Sequence, residues 1–119
     1  MRVVDGEDEL LDALEAHAWL CQRQLARLKL PPLYRSGVRY QRGRREDAWR
    51  TPQQVLELGG GHCPDLACWR VAELRLSGED PQATVMVRRG GRAMGHVVVR
   101  RGDGTQEDPS RVLGMKGGL

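Results

Sequence analysis

The feature that most limits how this chain can fold is a change of hydrophobic period near residue 78. Before it, apolar residues recur at steps of three and four, the spacing of one helical face; after it they alternate, the spacing of a strand. Residues 7–28 place Leu10, Leu14, Ala18, Cys21, Leu25 and Leu28 on one face, and residues 63–77 do the same with Leu66, Ala67, Val71 and Leu74. ATVMVRR at 83–89 and GHVVVRR at 95–101 then read as strands, with RRGGRAMG carrying the turn between them. Asp103-Gly104 marks a second turn, leading to a short strand before Asp108-Pro109. Helices followed by hairpins, with no βαβ alternation, predict an α+β fold. Its parts are an N-terminal helix and a second long helix packed on a small antiparallel sheet.

Local chemistry sets the boundaries. Glu7, Asp8 and Glu9 open the first helix, Arg23, Arg27 and Lys29 close it in agreement with the macrodipole, and Pro31-Pro32 stop it. His17 lies mid-helix and is expected to be half exposed. Residues 31–50 are irregular and charged, with Tyr34, Val38, Tyr40 and Trp49 as packing anchors and one short strand at 38–41. Thr51-Pro52 reads as an N-cap followed by proline at the first helical position, opening a short helix that ends at Gly59. Three glycines follow, then Cys63 at the start of the second long helix, which Gly78 terminates.

At 119 residues the chain has the size of one domain, read as a helix and loop over 1–50 and a core over 51–114. Phe is absent and the hydrophobic fraction is 39%, so Leu, Val, Ala and three Trp must build a modest core. Net charge is +3, from seventeen Arg and two Lys against sixteen acids dispersed among them. The densest basic stretch, Arg39 to Arg45, lacks the aromatic platform and recognition helix of a nucleic-acid binder, so nucleic acid is not expected as a partner. Three cysteines without repeating spacing exclude a disulfide framework, and no C-x-x-C pair suggests zinc. No metal or other cofactor is expected. No run of eighteen apolar residues and no signal-like N-terminus is present, so membrane association is not expected and a reducing, cytoplasmic setting is.

Within this frame one set of residues offers chemistry. A thiol attacks an acyl carbon as thiolate, and a helix N-terminus or an imidazolium lowers its pKa. GGGHCPDL puts Cys63 at such a terminus, behind glycines that let the backbone turn and a substrate approach. His96 on the following hairpin and Asp108 after the last strand can reach the same end if the strands pair antiparallel. His96 would then act as base and Asp108 would hold its tautomer. Cys21 and Cys68 fall on apolar helical positions and read as core. Asp65, in the first turn, reads as a dipole-favoured carboxylate. The competing reading of Asp108 is a turn former before Pro109, with Ser110 capping a final turn.

The order GGGHCPDLACWRVAELRLSGEDPQATV, GHVVV, DGTQEDPSRVLG resembles the transglutaminase-like superfamily of cysteine peptidases and acyl transferases, over roughly residues 51–114. The resemblance implies Cys63 as nucleophile, His96 as base and Asp108 as orienting acid. It also implies hydrolysis or transfer at amide bonds of a protein or peptide through a thioester. Two departures stand out: His62 and Pro64 flank the cysteine where family members often carry acids, and no Gln stands at the short upstream spacing of papain-like enzymes. Tyr40, Trp49, Gln53 and His62 are the candidates for oxyanion or substrate contacts. Small phage and prophage proteins look similar, which sets the alternative: a virion or tail component that keeps the fold with or without activity and binds phage structural proteins.

Overall fold

The computed structural model describes residues 6–43, 48–90 and 93–116. It contains helix α1 (Gly6–Arg27), a 3-10 turn (Leu33–Arg35), strand β1 (Arg39–Tyr40), helix α2 (Pro52–Leu58) and strand β2 (Gly60–Gly61). Helix α3 (Cys63–Ser77), strands β3 (Thr84–Gly90), β4 (Ala93–Arg100) and β5 (Gln106–Glu107), and the short helix α4 (Pro109–Val112) complete the order. The architecture is α+β, with an antiparallel sheet ordered β3-β4-β5.

The boundary residues work as their chemistry requires. The Thr51 side chain accepts from the Gln54 N–H while Gln54 accepts from the Thr51 N–H at 2.9 Å, a reciprocal capping box that opens α2. Gly59 closes α2 and Gly78 closes α3, at φ of 83° and 80°, a left-handed conformation that glycine adopts without a Cβ penalty.

Helix α3 lies between two apolar clusters, which explains why it is buried nearly all round. On one side Ala67, Cys68, Val71 and Leu74 meet Leu14, Ala18 and Cys21 of α1 together with Val85, Val97 and Val99 of the sheet. On the other, Leu66 and Trp69 meet Leu33, Val38, Val55 and Leu113. Trp69 is fully buried, the largest aromatic contribution in a chain without Phe.

Three features differ from the reading of the sequence. The short strand expected at 38–41 is Arg39–Tyr40, and it pairs in parallel with Gly60–Gly61, so the glycine run is part of a sheet. A Cβ on Gly60 would stand 2.2 Å from the Arg39 carbonyl oxygen, so only glycine permits this approach. His17 is buried, not half exposed, because its Nε2 shares a 2.9 Å hydrogen bond with the Arg50 carbonyl and its ring packs edge-on against Trp49. The cap of α4 is Asp108, whose carboxylate accepts from the Arg111 N–H, while Ser110 is fully buried in the helix. Residues 44–47 of the basic stretch and 91–92 of the first hairpin turn lie outside the described residues.

Candidate active site

Cys63 is the first residue of α3 and half buried, packing, as Trp49 does, against the α1–α3–sheet cluster. His96 stands at the fourth position of β4, inside the strand rather than at its start, and is 5% exposed. Its Nε2 lies 2.9 Å from Asp108 Oδ2, so the imidazole and the carboxylate that sequence order suggested are in hydrogen-bond contact. The next residue of the strand, Val97, directs its backbone N–H at the Cys63 sulfur. The helix start, the central strand β4 and the α4 cap therefore come close to one another. With Nε2 engaged by Asp108, Nδ1 is the ring nitrogen left for another proton partner.

Electrostatics at the cysteine run against expectation. The sequence suggested a lowered thiol pKa at the helix N-terminus, yet burial pushes the Cys63 thiol above 9.0. The Val97 N–H pulls it down, the Asp108 and Asp65 charges push it up again, and the cysteine's own N–H pulls it down. Desolvation disfavours the anion and two nearby carboxylates repel it, and two N–H dipoles do not offset both. Burial thus favours the protonated form of Cys63. The other cysteines are more strongly held protonated: burial raises Cys21 to about 12 and Cys68 well above 9.0.

The remaining candidates separate. Tyr40 on β1 lies within electrostatic reach of both Cys63 and Asp108, and burial raises its phenol, leaving an O–H donor at the rim. Trp49 packs against the same apolar cluster as Cys63 and edge-on against the buried His17 ring. His62 caps the N-terminus of α3 with its ring laid on Gly43, where a Cβ would sit 2.3 Å from the ring; its Nε2 is buried without a hydrogen-bond partner among the described residues. Gln53 is exposed on α2, and its N–H donates to Gln24 Oε1 of α1 at 2.8 Å, a contact with α1 and not with Cys63.

Three supporting features were not legible as such. Asp65, 2% exposed, accepts from the Arg50 N–H at 2.9 Å and the His62 N–H at 3.1 Å, so it ties the segment before α2 to the turn that delivers Cys63. Arg88 stands directly opposite His96 across β3–β4 and donates from Nη2 to the same Asp108 Oδ2 at 3.2 Å and from Nη1 to Gln106 Oε1 at 3.2 Å. The period-two pattern, which puts residues 88 and 96 on one face of a hairpin, carried that signal. Glu107, next to Asp108, accepts from the Tyr34 hydroxyl, from Arg70 Nε at 2.6 Å and from Arg101 Nε and Nη2 at 2.9 and 2.7 Å. Arg70 also donates to Glu73 at 3.2 Å and lies over the Tyr34 ring. Glu73 in turn accepts from the Leu33 N–H at 2.6 Å.

Among the described residues, no cluster of three His, Cys, Asp or Glu side chains could hold a metal ion, and no helix is long and apolar enough to cross a membrane. A cavity of about 710 Å³ beside Asp80, Arg101 and Glu107 and another of about 550 Å³ between Leu28 and Leu76 are not lined by Cys63, His96 or Asp108. No family model, curated protein or solved structure matches the chain.

Proposed function

We propose that this chain is a transglutaminase-like thiol hydrolase that opens amide bonds of a protein or peptide through a Cys63 thioester. The observation that carries the reading is the 2.9 Å contact between His96, buried on β4, and Asp108 at the α4 cap, with the N–H of the residue after His96 facing the Cys63 sulfur. Because burial favours the protonated thiol, the nucleophile forms by transfer of the Cys63 proton to His96 Nδ1 as sulfur attacks the carbonyl carbon. Asp108 fixes the ring and balances the imidazolium that results. The Cys63 N–H and the protonated Tyr40 hydroxyl are the donors for the oxyanion. The imidazolium then protonates the departing amine, and water, deprotonated by His96, cleaves the thioester and restores the thiol.

The test is acylation by p-nitrophenyl acetate near neutral pH, with the acetyl group mapped by mass spectrometry. Cys63 should be acetylated selectively, and His96→Ala should slow this by about a hundredfold, the usual scale of general-base assistance. Acetylation of Cys63 at the same rate in parent and His96→Ala would sink the reading. It would favour a second one, an interaction protein such as a phage particle component keeping the fold without turnover. The upward-shifted, half-buried thiol is the observation on that side.

A further inference from the structure

The face of α1 turned away from α3 carries an exposed line of residues at helical spacing, and its centre is apolar. Trp19 and Leu20 are 55% and 50% exposed, and Ala16 beside them is exposed as well. Toward the N-terminal end the line continues to exposed Glu9 and Asp12; toward the C-terminal end it continues to exposed Arg23 and Arg27. We propose that this face is the contact surface of a homodimer in which two α1 helices cross antiparallel.

The charge order chooses the occupant. A stripe that runs from acidic through apolar to basic is complementary to its own reverse, and a partner helix of one sign would be repelled at one end. Reversal about a two-fold axis between Ala16 and Trp19 sets Asp12 against the partner's Arg23 and Glu9 against the partner's Arg27. It also sets the Trp19 indole on the small Ala16. Each contact occurs twice, as an isologous interface demands. The opposed helix dipoles add in the same direction. Twenty-two residues make a helix about 33 Å long, so one face buries less than the ~800 Å² per partner of a standard interface, and the dimer is a weak one.

Sedimentation of the full chain over a concentration series tests this. The expected result is a reversible monomer–dimer equilibrium, lost in Trp19→Lys. Asp12→Arg or Arg23→Glu alone should weaken it by about tenfold, since each change counts twice. The double variant Asp12→Arg/Arg23→Glu should regain the parent's association, because it reverses both ends of the same pair. All three positions are exposed, and circular dichroism of each variant confirms that the comparison is between folded chains. A monomer up to roughly millimolar concentration, a dimer indifferent to Trp19→Lys, or a double variant no tighter than either single change would each overturn the proposal.

Discussion

Replacing Glu107 by Gln removes one negative charge from the acceptor of four hydrogen bonds while keeping its size. The amide nitrogen of Gln cannot accept from Tyr34, Arg70 or Arg101, so at least one of these donors is left without its partner. Breaking a buried ion pair from one side costs about 3–5 kcal/mol. The Glu107 and Arg101 side chains keep 17% and 25% exposure, so water recovers part of that, and the expected loss is about 2–3 kcal/mol. In urea that is a fall in midpoint of roughly 1–2 M. The charge makes the loss dependent on pH. Burial pushes Glu107 up, but the hydrogen bonds from Tyr34, Arg70 and Arg101 outweigh it and hold the carboxyl below 4.5. Its contribution is therefore present above the unfolded carboxylate value and is lost as pH falls through the lowered folded value. Glu73 has the opposite sign: burial raises it, so its proton uptake favours the fold as pH falls toward 4.5 from above. Urea denaturation of the parent and Glu107→Gln, followed by circular dichroism at neutral pH and again below pH 4, measures both effects. The gap between the two chains should be wide at neutral pH and should close in acid, where the parent's own Glu107 takes up a proton. A difference under about 0.5 kcal/mol at neutral pH, within the range of ordinary surface substitutions, would refute the reasoning. So would a gap that stays constant into acid.

Alkylation with iodoacetamide should reach Cys63 alone in the native chain, at a rate that climbs as pH rises through 9 without a plateau at lower pH. Peptide mapping against pH checks this, and an early plateau would mean an imidazolium-paired thiolate. Because folding also raises Cys21 to about 12, stability should decline as pH climbs from about 9 toward that value, as thermal melts over an alkaline series will read. Gly60→Ala should lower stability by about 1–3 kcal/mol, the scale of an overpacked site, since its new Cβ would meet the Arg39 carbonyl at 2.2 Å. Loss of the β1–β2 pair should then speed amide exchange at Gln41, whose N–H donates to the Gly61 carbonyl at 2.8 Å.

What could be read from the sequence is what short-range chemistry determines. Thr51-Pro52, Gly59 and Gly78 each have a local physical reason to start or stop a helix, and α2 and α3 begin and end there. Alternation marked β3 and β4 as strands of a hairpin, while the register that sets Arg88 opposite His96, with its irregularity between Arg88 and Gly90, was not readable from it. Long-range polar partners had no such signature. Glu107 contacts Arg70 across 37 residues and Tyr34 across 73, and nothing local in the sequence marks the three as partners until the fold joins them. The pairing of two glycines with Arg39 and Tyr40 was hidden for a related reason, since glycine carries no strand preference. At the candidate site, type and order suggested Cys63, His96 and Asp108 as a set, and of these the His96–Asp108 contact is present. The direction of the Cys63 shift could not be read, because it depends on how deeply the sulfur sits and how near two carboxylates stand.

The burial that favours the protonated Cys63 thiol bears on chemical durability. Peroxide consumes the thiolate and largely spares the thiol, so a cysteine that stays protonated resists conversion to sulfenic acid. The same desolvation that slows attack on an electrophile thus shields Cys63 from oxidative ageing, and Cys21 and Cys68, fully buried and more strongly protonated, are shielded further.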